Sequence, residues 1–278
     1  RSGKGEMMGL SRRLFIGASL SAATASVMAG ANVAEASATK PQKWDKTVNV
    51  VIIGSGGAGL ATAVSAAENG VKDILVLEKL AFLGGNTAIA TGAFNTADPK
   101  QKEQGIEDSP ELHAQQTLKG GDFRANPELV NELTHNSYDT LTWLESKGVK
   151  FQPKILQVYG ALWPRSHATA ASKGSDYIRV LSEEAKKLGV TIQTQAKVVD
   201  IIRENQLSGR VLGVEYLNKD GQHVFVRALK AVVACPGGFG ANREMRSLHD
   251  PRLYNLTTTN NPAASTGEVL VMMQDIGA

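Results

Sequence analysis

Residues 48–70 read VNVVIIGSGGAGLATAVSAAENG, and the reading of this stretch decides the fold. Val48, Val50, Val51, Ile52 and Ile53 make a nearly continuous apolar run, the pattern of a strand buried on both faces. Gly54, Gly56 and Gly59 follow at once in G-x-G-x-x-G spacing, then an alanine-rich helical stretch over residues 60–69 that Gly70 closes. A second buried strand, residues 74–77, ends in Glu78. Each part has a physical job: Gly54 permits the tight turn, Gly56 lets backbone approach a pyrophosphate, and Gly59 brings helix close to strand. The helix N-terminus offers free N–H groups to phosphates, and Glu78 can accept hydrogen bonds from ribose hydroxyls. The context predicts a dinucleotide site but leaves the dinucleotide open.

Composition narrows the class. The chain has 278 residues, 42% hydrophobic and 21% charged, which is globular and long enough for one large domain or two small ones. Net charge is +3, with the 30 Lys and Arg scattered, and aromatics are only 5%; neither a basic face nor stacking platforms for nucleic acid are visible. The five histidines and the lone Cys235 show no CxxC, HExxH or CxxCH spacing, so no metal site is expected. Cys235 reads as a buried small hydrophobe.

Upstream, residues 10–40 read LSRRLFIGASLSAATASVMAGANVAEASATK. Arg12-Arg13, an uncharged run of small residues and Ala36-Ser37-Ala38 form the layout of a twin-arginine secretory signal, cleaved after Ala38. A membrane anchor is the competing reading, but a stable span wants Leu, Ile, Val and Phe rather than Ala, Ser and Gly. Residues 1–38 are therefore expected to be a signal peptide and residues 39–278 the folded portion. Export would use the twin-arginine machinery and leave the protein periplasmic or otherwise extracytoplasmic. Residues 1–6, ahead of Met7, fit neither part.

The residues after Glu78 bear on the ligand. A nicotinamide-binding unit usually continues into another helix and strand; here a loop carries Gly84-Gly85, Asn86, Thr87 and the small-residue run 88–93. Small side chains let backbone amides lie against a large ligand. Further on come SPELHAQQTLKGGDFRANPELVNEL (residues 109–133), WLESKGVKF (143–151) and ALKAVVACPGGFGANREM (228–245). From residue 48 onward, these motifs in this order resemble the flavoprotein subunits of fumarate reductases, especially the soluble flavocytochrome c type. Urocanate reductases and 3-ketosteroid dehydrogenases are wider relatives.

The resemblance implies an α/β, Rossmann-like FAD-binding domain with a parallel central sheet and an additional β-meander, incomplete at its C-terminal end. Gly54, Gly56, Gly57, Ala58 and Gly59 would hold the FAD pyrophosphate, and Glu78 with Lys79 the ribose end. Gly85, Asn86, Thr87, Thr91, Gly92 and Ala93 would line the flavin end. Val198 would meet the adenine through its backbone, and Gly237 would pass near the dinucleotide. Pro236 stands where relatives carry Thr, removing a hydroxyl and an N–H. Arg165 and His167, in the aperiodic tract 159–175, would bind flavin or a substrate carboxylate, against the alternative of an ordinary surface loop. His113, His135, His223 and His249 are expected to face solvent.

Capped helices are expected after Ser109-Pro110 and Asn126-Pro127, another over residues 175–188, and a hairpin turn at residues 218–221. Glu268-Val269 stands where relatives have Asp-Gly, and an extra residue is expected between Pro262 and Gly267. In relatives the catalytic residues, the capping domain and the C-terminal flavin segment come later, so the catalytic residues are expected beyond residue 278. The implied activity is reduction of the C=C bond of a small unsaturated carboxylate in anaerobic respiration, with hydride supplied by reduced FAD. A separate or fused cytochrome or FMN-bearing module would donate electrons. A flavin dehydrogenase of the 3-ketosteroid type and a non-catalytic flavin-binding fragment are the alternatives.

Overall fold

The computed structural model describes residues 41–257 and 263–278. The signal segment with Arg12-Arg13, and Pro262 beside the expected extra residue, lie outside the described residues.

In chain order the strands are β1 (Lys46–Ile53), β2 (Ile74–Leu77), β3 (Ala93–Asn95), β4 (Ser166–Ala168), β5 (Thr191–Gln193), β6 (Lys197–Asn205), β7 (Ser208–Leu217) and β8 (His223–Ala234). The helices are α1 (Gly57–Glu68), α2 (Gly85–Ile89), α3 (Pro110–Gly120), α4 (Pro127–Lys147), α5 (Ser175–Lys187), α6 (Arg243–His249) and α7 (Glu268–Asp275). Six strands form one sheet in the order β5-β2-β1-β8-β7-β6. β5, β2, β1 and β8 run parallel, while β8, β7 and β6 form an antiparallel meander. This is the expected architecture, and β8 is its pivot, bonded parallel to β1 on one edge and antiparallel to β7 on the other.

The apolar run of β1 needs both faces because each has its own core. Val50 and Ile52 pack with Leu60, Ala63 and Val64 of α1 and with Ile178 and Leu181 of α5. Val51 and Ile53 point the other way, into Val214, Tyr216 and Val226 of the meander. A fully buried aliphatic side chain of this kind contributes about 1.5–3 kcal/mol, so a charge at Val51 or Ile52 would break the sheet at its centre.

The helix boundaries follow local chemistry. Ser109 Oγ accepts from Leu112 N at 3.1 Å, and Asn126 Oδ1 accepts from Glu128 N at 2.8 Å, each ahead of a proline in the first turn. Asn218 Oδ1 accepts from the N–H groups of Asp220 and Gln222, both at 2.9 Å, and makes the β7–β8 turn. The tract read as aperiodic contains β4, which pairs antiparallel with β3, Phe94 opposite His167. His113 departs from expectation: α3 turns it inward and it is only 8% exposed, whereas His135, His223 and His249 face solvent as expected. Among the described residues no helix is long and apolar enough to cross a membrane.

Candidate functional site

The C-terminal ends of β1, β2 and β8 converge on the turn between β1 and α1, and a cavity of about 250 Å³ opens there. The glycines of that turn divide by role. A Cβ on Gly54, at φ +100°, would lie 2.3 Å from Cys235 O, and one on Gly59 would lie 1.9 Å from Gly54 O. Both are glycine because backbone packs on backbone. At Gly56 the closest atom of this chain to such a Cβ is 3.9 Å away. Chain packing leaves room at Gly56, and that room belongs to the cavity.

Helix geometry leaves the N–H groups of Gly57, Ala58 and Gly59 without partners inside α1. Thr87 Oγ1 accepts the one from Gly57 at 3.1 Å, which ties α2 to the turn. The others remain at a helix N-terminus with no acidic residue in its first turn, an arrangement that attracts a phosphate.

Glu78 closes β2 and is buried, at 6% exposure. One carboxylate oxygen accepts from Ser55 N at 3.1 Å and Ser55 Oγ at 2.6 Å, the other from Leu80 N at 2.9 Å. All three donors are neutral, and Oε1, with a single donor, keeps acceptor capacity at the cavity. Lys79 turns across the cavity mouth to Thr266 Oγ1 and Glu268 Oε2, the latter at 3.3 Å. Asn86 Nδ2 donates to Ser265 Oγ at 2.6 Å.

Of the residues expected from the sequence, the structure gathers Gly54, Gly56, Gly57, Ala58, Glu78, Lys79, Gly85, Asn86, Thr87, Val198 and Gly237 around one cavity. Gly59 supports the turn from behind. Thr91 and Ala93 are exposed beyond the cavity wall, and Gly92 is buried under the loop after β4, where an added Cβ would sit 2.7 Å from Thr169 Oγ1.

Arg165 and His167 also lie outside the cavity wall. Arg165 grips Asp108 with two bonds, Nε to Oδ2 at 2.9 Å and Nη2 to Oδ1 at 2.7 Å. His167 Nε2 meets Asp98 Oδ2 at 3.2 Å and Nδ1 meets Arg165 O at 3.1 Å. Gln101 joins the two acids, its Oε1 accepting from Asp98 N and its Nε2 donating to Asp108 Oδ2. Cys235 sits at the cavity wall, and burial pushes its thiol above the usual value, partly offset by Thr62. It is held protonated at neutral pH.

The sequence reading missed Lys197 and the wall formed by Ala264, Ser265, Gly267 and Glu268. Their one local signal was the departure at Glu268-Val269; nothing local connects Lys79 to a residue so distant in the chain.

A dinucleotide fits this donor set: free helix N–H groups beside Gly56, a buried acid at the end of β2, and a glycine-lined approach. Comparison with known proteins agrees. The model of the FAD binding domain family matches residues 49–278. The acrylate reductase flavoprotein subunit of Shewanella woodyi is 34% identical over 277 residues, covering 97% of this chain and 54% of that protein. The urocanate reductase of Eggerthella lenta is 34% identical over 241 residues, 86% of this chain and 39% of that protein. Among solved structures, the open conformation of a flavocytochrome c3 fumarate reductase superposes with a TM-score of 0.79 at 27% identity, covering 99% of this chain and 45% of that one. A 3-ketosteroid-Δ4-(5α)-dehydrogenase from Rhodococcus jostii RHA1 superposes with a TM-score of 0.77 at 29% identity, covering 87% and 56%. The chain thus spans about half, or less, of the length of the curated relatives it matches.

Proposed function

The chain belongs to the FAD binding domain family and its cofactor is FAD; from that premise we propose that it is the FAD-holding part of an oxidoreductase that reduces the C=C bond of a small unsaturated carboxylate. One observation carries the reading. The cavity at the ends of β1, β2 and β8 is lined by the glycine turn, the start of α1 and Glu78, groups suited to a dinucleotide, and it sits in a chain whose relatives are named as reductases of acrylate and urocanate.

FAD, when bound, supplies hydride to one carbon of the double bond. This chain's own part is binding and orientation. The α1 N-terminus and Gly56 take the diphosphate, Glu78 accepts from ribose hydroxyls, and the backbone at Val198 borders the adenine. Asn86 and Thr87 set the start of α2, so that Thr91, Gly92 and Ala93 run along the flavin end. Arg165 and His167 act from behind that segment, through β4 and its pairing with β3.

The full-length protein, purified with FAD, should oxidise reduced methyl viologen when given acrylate, fumarate or urocanate. Flavin-loaded protein that turns over none of them would count against the proposal. A 3-ketosteroid dehydrogenase activity is favoured by the Rhodococcus jostii superposition and predicts instead that a saturated 5α-3-ketosteroid is oxidised to its Δ4 product with an artificial acceptor. A cytochrome or an FMN-bearing module, separate or fused, would be the electron donor in respiration. Residues 1–38 would act as a cleaved twin-arginine signal, so the exported protein should begin at Thr39 on N-terminal sequencing and sit in the periplasmic fraction.

A further inference from the structure

The cavity has a wall that the turn, the strands and α2 do not provide. Residues 264–269 lie over it, held by Val269 packed against the core that contains Val198 and Ile201, by Asn86 Nδ2 donating to Ser265 Oγ, and by two further sets of contacts. On one side are fixed backbone-linked contacts to the segment after β8: Ala241 N donates to Ser265 O at 2.9 Å and Asn242 Nδ2 to Thr266 O at 2.9 Å. Gly267, at φ +81°, packs so closely there that a Cβ would sit 2.5 Å from Met245 Sδ. On the other side the contacts cross the mouth and are made by side chains alone. Glu268 bridges two lysines, with Oε2 3.3 Å from Lys79 Nζ and Oε1 3.6 Å from Lys197 Nζ. The first lysine follows β2 and the second opens β6, so the carboxylate ties α7 to both banks.

The cavity's volume of about 250 Å³ is below the roughly 300–1,000 Å³ of pockets that take drug-sized ligands. A whole dinucleotide is larger than that. With residues 264–269 in this position the cavity takes only part of the ligand. Gly85, Asn86 and Thr87 border it as well, but Lys79 and Lys197, the partners of Glu268, adjoin Glu78 and Val198, the residues proposed for the adenosine end. Entry or exit of that end requires this wall to move, and the side-chain contacts are the ones that can break without unfolding the chain.

We propose that Glu268 is a positioning residue whose ion pairs with Lys79 and Lys197 latch residues 264–269 over the adenosine end of the cofactor, and that this latch sets the rate of FAD release. The inference rests on the flavin reading above. Both pairs are part-exposed, with side-chain exposures of 24% for Lys79, 37% for Glu268 and 50% for Lys197, so salt should weaken the latch.

The test uses full-length protein loaded with FAD and follows the rise in fluorescence as flavin leaves, at low and at about 1 M salt. Wild-type release should speed up with salt. Glu268→Gln should release FAD about threefold to tenfold faster at low salt, the size expected of two part-exposed pairs, and should lose most of the salt response. Lys197→Gln, which cuts only the longer pair, should fall between and guards against a folding defect in the first variant. Release from Glu268→Gln within twofold of wild type, or equally sensitive to salt, would overturn the latch while leaving the flavin site intact. Protein that takes up no FAD at all would overturn the flavin reading and the latch with it.

Discussion

Two buried carboxylates, Glu78 and Asp108, sit in opposite situations. Glu78 is held by three neutral donors and faces a cavity. Asp108, with a side chain only 1% exposed, is saturated: Arg165 grips both oxygens, Gln101 Nε2 donates to one and Ser109 N to the other. A buried acid with spare acceptor capacity at an opening is built to meet a ligand. One whose oxygens are all spoken for inside the chain is scaffold. The contrast supports the proposed role of Glu78 in binding and leaves the Asp98–Gln101–Asp108 cluster to hold β4 in place.

The largest effect should come from breaking the scaffold side. Asp108→Ala leaves the Arg165 guanidinium, 6% exposed, without its counter-charge, and a broken buried pair costs about 3–5 kcal/mol. In a domain of this size that lowers Tm by about 10 °C, while the molecules that remain folded should carry their full complement of FAD. Flavin loss without a fall in Tm would move the Asp108–Arg165 pair to the binding side and break the contrast.

Next come the glycines, which sharpen it. Gly59→Ala forces a Cβ to within 1.9 Å of Gly54 O, an overpacking of backbone on backbone that costs about 1–3 kcal/mol. Gly56→Ala has 3.9 Å of clearance from the chain, so unfolding in urea should match wild type. Its methyl group occupies ligand space, and FAD affinity should fall at least about tenfold, or 1.4 kcal/mol. A variant at Gly56 that unfolds early but binds FAD normally would reverse the assignment.

Glu78→Gln should do less than either. The amide keeps one acceptor oxygen for Ser55 but loses the charge that strengthens those bonds, worth about 1 kcal/mol or somewhat more. Slightly reduced stability and a several-fold weaker FAD affinity are expected, read by urea midpoint and by fluorescence titration.

How much of this was visible in the sequence depends on whether the determinants were local. Strand, turn and helix over residues 46–68 carry their signals within a few residues of one another, as do the Ser109 and Asn126 caps and the Asn218 turn. The three-residue strands β3 and β4 have no period to detect; Phe94 and His167 meet only after the chain has folded back. The parallel sheet with its added meander was carried by family resemblance, and the order of its six strands was not legible, because no local pattern says that β8 will pair with β1. The latch was unreadable for the same reason. Lys79, Lys197 and Glu268 are ordinary charged residues until the meander and α7 bring them to one rim. His113 misled because its helix is mostly polar, so nothing in the spacing marks which side packs inward.

The smallest predicted effect tests that buried histidine. His113 Nδ1 has no hydrogen-bond partner among the described residues. Burial first, then repulsion from Arg165, lower its pKa below the usual 6.5, with Asp108 partly opposing. Below about pH 6.5 the unfolded chain therefore binds a proton that the folded chain refuses, and stability must fall as the pH falls. Carboxylates add their own acid dependence, so the informative quantity is a difference. His113→Leu removes the titration and keeps an apolar body in the site. Urea midpoints of wild type should decline more steeply between pH 7 and pH 5.5 than those of the variant, the two curves converging as the pH drops. Parallel curves would mean that His113 takes up its proton as readily in the folded chain as in the unfolded one. The scaffold cluster would then be open to water at its α3 side, and the distinction between a sealed cluster and an open site would lose that edge.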